Sequence, residues 1–199
     1  MKVIVVGATG TIGSAVADLL AQRHEVVRVT RKGPVEADLE DAASLRQLFA
    51  TVGGVDAVVS CAGNAVFKPL RELSDDDFAF CLRNKLMGQV NLARAAMGAL
   101  RDGGSITLTS GVLAHEPMPG AAAISLVNAA LEGFVRGAAI ELPRGLRINV
   151  VSPPWLEETL RAYKMQAPGP ISAATCAKAY AAAVEGKQSG EVIEARRFA

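Results

Sequence analysis

Three glycines spaced three residues apart near the N-terminus could hold a phosphate group. Gly7, Gly10 and Gly13 follow a run of β-forming residues and precede a stretch that is typical of a helix, TIGSAVADLLAQ. Such a turn lets the backbone approach a pyrophosphate, and the first turn of the helix presents unpaired N–H groups to the anion. A string of glycines is a weak signal by itself, but its place between a strand and a helix favours a dinucleotide site over a structural turn.

Arg31 bears on which dinucleotide would bind. The stretch EVVRVT (25–30) predicts a second strand, and Arg31 and Lys32 follow it without an acidic residue. At this position of a dinucleotide fold an acid accepts a hydrogen bond from the ribose 2′-hydroxyl, whereas an arginine fits a 2′-phosphate. The sequence therefore favours NADP(H). The alternative is that both residues are solvated cations in a loop.

The cysteines and histidines form no recognisable motif. Cys61, Cys81 and Cys176 lie far apart, and His24 and His115 are the only histidines, so their spacing indicates no metal site. Reduced, buried thiols are the expected role of the cysteines. Cys61 is interpreted as a packing residue and not as a nucleophile, because no histidine or second cysteine is near it in the sequence.

Strands and helices alternate along the chain. Further strands are predicted at VDAVVSCAGN (55–64), GGSITLTSG (103–111), LRINVVSPPW (146–155) and the closing GEVIEA, and long helices at 74–100, 121–142 and 172–185. Near-continuous apolar strands in this order predict a parallel sheet with helices on both faces. The expected fold is a doubly wound, Rossmann-like α/β/α sandwich, one domain over residues 1–199, with its ligand outside the carboxyl ends of the strands.

Composition excludes several function classes. The 199 residues carry a formal net charge of +1 and are 50% hydrophobic. No long block of one charge is present, so nothing suggests a nucleic-acid or membrane surface. Glycine, charge or proline interrupts the apolar runs, and the N-terminus is typical of a strand and not of a signal peptide. A cytoplasmic protein is expected.

The order and spacing of these segments resemble the short-chain dehydrogenase/reductase family over almost the whole chain. The resemblance rests on GATGTIG (7–13), Asp38-Leu39, CAGN (61–64), Asn84 to Gly88, Ser105 to Ser110, AALEGF (129–134), ELPRGLRINVVSPPW (141–155) and GEVI (190–193). It implies an NADP(H) site in which Gly7, Thr9, Gly10, Thr11, Ile12 and Gly13 hold the pyrophosphate, Arg31 the 2′-phosphate, Asp38 and Leu39 the adenine, Cys61, Ala62 and Gly63 the ribose, and Pro153 the nicotinamide side. Thr11 stands where a glycine is common, which points to the atypical branches of the family.

The resemblance fails at the catalytic positions. Family members use a Tyr-x-x-x-Lys pair, in which residues four apart on one helix face let the lysine lower the tyrosine pKa. AALEGF aligns these positions with Ile124 and Asn128, which can neither donate a proton nor carry a charge. The chain therefore resembles a divergent subgroup that lacks the usual pair.

Several other residues are candidates for the missing proton donor. The family's serine position falls on Gly111, beside Ser110, and the family's helical asparagine is identified with Asn84. His115 follows in a loop and has a suitable intrinsic pKa, although an exposed histidine without a chemical role is the alternative. Tyr163 and Lys164 are adjacent and cannot share a helix face, and Tyr180 is interpreted as a core residue.

Two functions remain open on the sequence. The first is an NADP(H)-dependent oxidoreductase acting on a small carbonyl or alcohol substrate, with Ser110, Asn84 and His115 as the candidate catalytic residues. The second is a non-catalytic NADP(H)-binding protein, a sensor or an oligomer partner. The short segment after the fifth strand predicts a small lid and hence a small or open pocket. The family resemblance and the apolar helix at 121–142 imply a homodimer or homotetramer.

Overall fold

Six parallel strands form the central sheet of the computed structural model, which describes all 199 residues. In sheet order they are β2 (Glu25–Val29), β1 (Lys2–Val6), β3 (Val55–Ser60), β4 (Leu100–Thr109), β5 (Arg147–Ser152) and β6 (Val192–Glu194). Every neighbouring pair is parallel. The predicted doubly wound α/β fold is confirmed.

Helices cover both faces of this sheet. The helices are α1 (Thr11–Ala21), α2 (Ala42–Val52), α3 (Asp75–Cys81), α4 (Gly88–Ala99), α5 (Ala122–Ala139), α6 (Glu157–Tyr163) and α7 (Ala173–Glu185). In β1, Val3 and Val5 pack with α1 and α7, whereas Ile4 and Val6 pack with α2, α4 and α5. A strand whose successive side chains enter two different cores must be apolar throughout, which explains its continuous hydrophobic sequence. None of the helices has the length and apolarity needed to cross a membrane.

The sheet places the two most informative turns side by side. β1 and β3 are neighbours, and the chain leaves β1 toward one edge of the sheet and β3 toward the other. Gly7 directly follows β1, Cys61 directly follows β3, and the N–H of Cys61 donates to the carbonyl of Val6 at 2.8 Å. A crevice at such a switch point, outside the carboxyl ends of the strands, is where this architecture binds ligands.

The predicted helix over 74–100 differs from the structure in its centre. Ser74 forms a reciprocal capping box with Asp77, as its position suggested, and α3 begins there. Residues Leu82–Met87 then form a π-helical segment before α4 begins at Gly88. A wider turn of this kind re-aims side chains and is frequent at functional sites. The segment carries Asn84 and Lys85.

A short helix, α6, follows β5 where the sequence indicated only a variable segment. Two prolines end β5, and Leu156 then pairs with Ile171 in an isolated parallel bridge. The bridge closes the loop that contains α6, and Thr159 of that helix faces a cavity at the edge of the sheet. This loop forms one wall of the candidate site.

Candidate active site

The glycine turn after β1 has geometry that side chains would prevent. Gly7 has a φ of +82°, and a Cβ at Gly7 would lie 2.9 Å from the carbonyl carbon of Cys61. A Cβ at Gly13 would lie only 2.0 Å from the carbonyl oxygen of Gly7. Both positions therefore require glycine, the first for backbone conformation and close approach, the second for packing of α1 against the turn.

The first turn of α1 fits an anionic group. Gly10 is the N-cap residue, no side chain caps the helix, and no acidic residue occupies its first turn. The N–H groups at that end thus lack the partners that a capping serine or aspartate would supply. Together with the glycine-lined approach, this end of α1 can accept a diphosphate, so the residues present fit the dinucleotide that the sequence predicts.

A first cavity of about 250 Å³ adjoins the turn. The predicted cofactor residues that line it are Gly7, Thr9, Gly10, Arg31, Asp38, Leu39, Cys61, Ala62 and Gly63. Arg31 is exposed and forms no ion pair, whereas Leu39 is buried and packs where a Cβ at Gly88 would lie. Three segments that are distant in sequence, 7–10, 31–39 and 61–64, therefore meet at one groove. Thr11 and Gly13 lie in the first turn of α1 and do not line this cavity.

Asn84 supports the floor of this first cavity. Its Oδ1 accepts from the N–H of Asn64 at 2.6 Å, and its Nδ2 donates to Oε1 of Glu40 at 2.6 Å. Hydrogen bonds from Asn84 and then Arg83 lower the pKa of Glu40. Asn84 thus joins the loop after β3 to the loop before α2. Asn84 does not line the second cavity, which is described next. This placement differs from the catalytic role that the sequence suggested for it.

A second cavity of about 420 Å³ continues from the first, since Cys61, Ala62, Gly63 and Asn64 line both. Its other walls come from α1, the π-helical segment, the ends of β4 and β5, α5 and α6. The predicted residues that line it are Ile12, Ser110, Ile124, Asn128 and Pro153, and Lys85 is the only charged residue among the lining residues. The two positions aligned with the family's tyrosine and lysine therefore do face one cavity.

Lys85 is a functional candidate that the sequence reasoning missed. Its Nζ donates to the carbonyl oxygen of Ser110 at 3.2 Å, and the residue forms no ion pair. Burial lowers the pKa of Lys85 to about 8, against a weaker opposing effect of Cys81. The available signal was its spacing from Gly88: residues three and four positions before that glycine both share its helix face, so Lys85 was as well placed as Asn84.

Two buried amide side chains lie beside the second cavity and differ in their partners. Gln89 donates to the carbonyls of Thr109 and Lys85 and accepts from the N–H of Thr109, so both ends of its amide are used. Asn128 makes one long bond, from Nδ2 to the carbonyl of Gly111 at 3.4 Å, and its buried Oδ1 has no partner. An unpartnered buried acceptor in a cavity wall is what a ligand hydroxyl or amide would satisfy.

Ser110 and His115 do not combine as a proton-donating pair in this cavity. Ser110 is buried, and its hydroxyl donates to Oε1 of Glu132 at 3.2 Å. His115 bonds the same carboxylate through Nε2 at 2.6 Å and lines a separate small cavity with Glu116, Glu194 and Arg196. Glu132, which is 1% exposed, thus bonds both side chains, but only Ser110 lines the second cavity. His115 as the proton donor is not supported by this placement.

The remaining candidates fall where the sequence reasoning put them. Tyr163 is 73% exposed and does not line the second cavity. Tyr180 is fully buried, and its hydroxyl bonds that of Thr109 at 2.7 Å, which confirms it as a core residue. All three cysteines are free thiols; Cys81 and Cys176 are buried as predicted, whereas Cys61 is half-buried and lines both cavities, and its desolvation raises its pKa well above the usual value. A thiol held in that state is a poor nucleophile, in keeping with a packing role.

The fold and the cavity at its switch point define a protein of the Rossmann-like, dinucleotide-binding class. A sequence model of the family described as enoyl-(acyl carrier protein) reductase matches residues 2–193. The chain belongs to the short-chain dehydrogenase/reductase family, as its motifs predicted. The members of this family are oxidoreductases.

Individual relatives agree with this assignment. A hydroxynaphthalene reductase-like protein of Metarhizium brunneum is 31% identical over 176 residues, a match that covers 75% of this chain and 66% of the relative, so this chain spans just under two thirds of its length. A crystal structure of a Listeria innocua protein is 40% identical, with 98% of each chain covered and a TM-score of 0.94. A small-chain dehydrogenase crystallised with NADPH is 26% identical, with 98% and 95% covered and a TM-score of 0.86.

Proposed function

We propose that this protein is an NADP(H)-dependent oxidoreductase that acts on a small carbonyl or alcohol substrate. The observation that carries the proposal is the continuity of the two cavities: the groove beside the glycine turn and Arg31 opens, through the shared residues 61–64, into the cavity that contains Lys85 and Asn128. The NADPH complex of a structural relative and the reductase name of a sequence relative support the same assignment.

Each part of the groove then has a role toward the dinucleotide. The backbone of residues 7–13 holds the diphosphate, Arg31 pairs with the 2′-phosphate, and Asp38 and Leu39 border the adenine. Asn128 offers its free Oδ1 to the nicotinamide half, next to Pro153. When bound, the reduced nicotinamide supplies a hydride; the protein binds, orients and excludes water around it.

The walls and the volume of the second cavity favour a small substrate. Trp155, Ile124 and Leu113 contribute apolar walls, and the ring of Trp155 packs edge-on against that of Phe67 with their centroids 6.4 Å apart. The nicotinamide half of the dinucleotide must share the same volume of about 420 Å³. Little space is left for substrate, so an extended acyl chain would have to project into solvent.

We also propose that the protein is a homodimer or homotetramer. On α5, Leu126 is 45% exposed, and at the end of that helix Ile140 is 87% exposed. Apolar side chains left in water on one helix are suited to a subunit contact. Light scattering of the purified protein would measure the mass, and a mass equal to one chain would contradict this assignment.

A second candidate function is a non-catalytic NADP(H)-binding protein. Ile124 and Asn128 in the reaction cavity favour it, because neither residue can form the family's proton relay. Titration of NADPH by fluorescence, followed by its oxidation with a panel of small aldehydes, ketones and diketones, separates the two functions. Tight binding with no turnover of any panel member would support the non-catalytic protein and contradict the enzyme.

Two neighbouring arginine and lysine variants test the cofactor choice. Arg31→Ala should weaken NADPH binding by about 10- to 100-fold, the loss of one charge-assisted contact of about 1.5–3 kcal/mol. NADH, which lacks the 2′-phosphate, should bind the variant and the wild type equally. Lys32→Ala is the matched control, because Lys32 is also exposed but does not line the cavity. Equal NADPH affinity for wild type and Arg31→Ala would contradict the role of Arg31.

A further inference from the structure

One amine faces the second cavity, and no carboxylate does. We propose that Lys85 is the proton donor of this enzyme and that it performs the task for which the chain has no tyrosine. The proposal rests on the NADP(H)-dependent reduction proposed above and assigns its missing catalytic residue. Lys85 lies beside Gly63 in the loop after β3 and Ser110 at the end of β4, and it lines the same cavity as Ile124 and Asn128 on α5.

The backbone holds Lys85 firmly in this place. It belongs to the π-helical segment, and the side-chain amide of Gln89 donates to its carbonyl at 3.2 Å. A Cβ at Gly63 would lie 3.2 Å from the Cα and 3.3 Å from the Cγ of Lys85, so the glycine gives its stem room beside the groove. The bond from Nζ to the carbonyl of Ser110 directs the ammonium toward the end of β4.

The surroundings of Nζ suit proton donation near neutral pH. Cys81 on α3 is the one charged or titratable group that acts on it appreciably, and Cys61 is the only other titratable residue that lines the cavity. A general acid works best when its pKa is close to the operating pH, and burial moves the pKa of Lys85 to about 8. A solvated lysine, with a pKa of about 10.4, would hold its proton too tightly.

The proposed step balances without any further reactant. As a hydride adds to the carbonyl carbon, the C=O π pair moves onto oxygen, the N–H bond at Nζ breaks and an O–H bond forms. The products are an alcohol and the neutral Lys85 amine, which regains a proton from water at the open side of the groove. The reductant is the NADPH of the proposed function.

The first test needs neither cofactor nor substrate. Acetic anhydride is reacted with the protein at a series of pH values, and acetylation at each lysine is measured by peptide mass spectrometry. The rate at Lys85 should reach half of its maximum near pH 8, and saturating NADP⁺ should protect Lys85, with the exposed Lys32 as the internal reference. Coincident pH profiles at Lys85 and Lys32 would overturn the proposal.

The second test separates proton transfer from positive charge. Reduction of the small diketone 2,3-butanedione and of other panel carbonyls should fall by about 10²- to 10⁴-fold in kcat for Lys85→Met, which is the usual contribution of a general acid. The Kd of NADPH should change less than the kcat. Methylamine should restore part of the rate in Lys85→Ala, whereas tetramethylammonium, which has a charge but no proton, should not.

The outcomes distinguish this proposal from the function on which it rests. Equal turnover by wild type and Lys85→Met, or rescue by tetramethylammonium, would show that Lys85 does not donate the proton. A wild-type protein that binds NADPH but reduces no panel carbonyl would overturn the catalytic role while the cofactor assignment stands. A protein that binds no NADPH would contradict the proposed function itself, and the acetylation profile would still report on Lys85.

Discussion

The two cavities of the groove, the dinucleotide end and the reaction end, are formed by different parts of the chain. At the dinucleotide end, the glycine turn and the first turn of α1 offer backbone atoms, and added side chains at Gly7 and Gly13 are excluded by close contacts. At the reaction end, side chains such as Lys85, Ile124 and Asn128 form the walls on elements that would pack in the same way with other residues. A site made of backbone is tied to the fold, whereas a site made of side chains can change its chemistry without changing the fold.

The difference extends to how each end is supported. Gly10 and Gly13 are constrained by backbone atoms of their own turn, and Gly7 by the backbone of Cys61 after the neighbouring strand, so this geometry follows from the path of the backbone. The reaction end depends instead on side-chain hydrogen bonds, such as those of Ser110 with Glu132 and of Thr109 with Gln89. This comparison predicts that substitutions at the first end are the more damaging.

The largest effect is expected from Gly13→Ala. The added Cβ would lie 2.0 Å from the carbonyl oxygen of Gly7, so α1 must move away from β1. The free energy of unfolding should fall by about 3 kcal/mol or more, the upper end of overpacking costs, and NADPH binding should be lost with it. Urea unfolding and NADPH fluorescence measure the two effects.

Gly133→Ala is the control for that variant. Gly133 lies on α5 with no atom within 4 Å of the position of an added Cβ. Because alanine favours a helix over glycine by about 1 kcal/mol, this variant should be at least as stable as the wild type. If Gly13→Ala were as stable as Gly133→Ala and still bound NADPH, the backbone-built end would not be the constrained one.

The contrast also explains what the sequence could predict. The strand order and the glycine turn follow from local patterns, so the fold and the groove around Gly7 and Arg31 were predictable. Lys85 was not, because the sequence does not reveal the π-helical segment, in which Lys85 lines the second cavity and Asn84 the first. The pairing of His115 with Glu132 was missed for a related reason, since a buried glutamate in an apolar helix reveals no partner in sequence.

The next largest effect on stability is expected when each of two buried amide side chains is replaced by leucine. Gln89→Leu leaves the N–H and C=O of Thr109 without their partner, so the free energy of unfolding should fall by about 2–4 kcal/mol. Asn128→Leu removes an acceptor without a partner and one long bond to a Gly111 carbonyl that also accepts from Ala114, so it should change stability by less than about 1 kcal/mol and chiefly weaken NADPH binding. Equal losses of stability for the two variants would mean that Asn128 is a structural residue and not a ligand contact.

A smaller effect should appear in the pH dependence of stability. The folded-state pKa of Lys85, about 8, lies below the ordinary lysine pKa of 10.5. Between these values the unfolded chain retains a proton that the folded protein has released, so the free energy of unfolding should rise with pH in this window. After allowance for partial exposure, the rise should be about 1–2 kcal/mol.

Lys85→Met isolates that contribution from those of the other titrating groups. Urea unfolding of both proteins at pH 7.5, 8.5 and 9.5 gives the difference in stability at each pH. The wild type should gain on the variant as the pH rises, because Lys85 becomes neutral in its folded surroundings. A difference that is constant over this range would mean that Lys85 is solvated, and the reaction end would then be no different from an ordinary surface.

The smallest effect is expected from His115→Gln. The imidazole is 59% exposed and held by Glu132 outside the second cavity, so the kcat of carbonyl reduction should change by less than about threefold, far below the 10²-fold of a lost general acid. Stability should fall by about 1 kcal/mol, since the glutamine amide can still donate to the buried Glu132 and Arg136 lies 3.6 Å from the same carboxylate. Because Lys85→Met and His115→Gln each remove one titratable side chain near the end of β4, their ratio of kcat values identifies which one serves the reaction. An equal loss of kcat in His115→Gln and Lys85→Met would require the loop after β4 to move His115 into the second cavity. The reaction end would then depend on a conformational change and not only on the packing around Lys85.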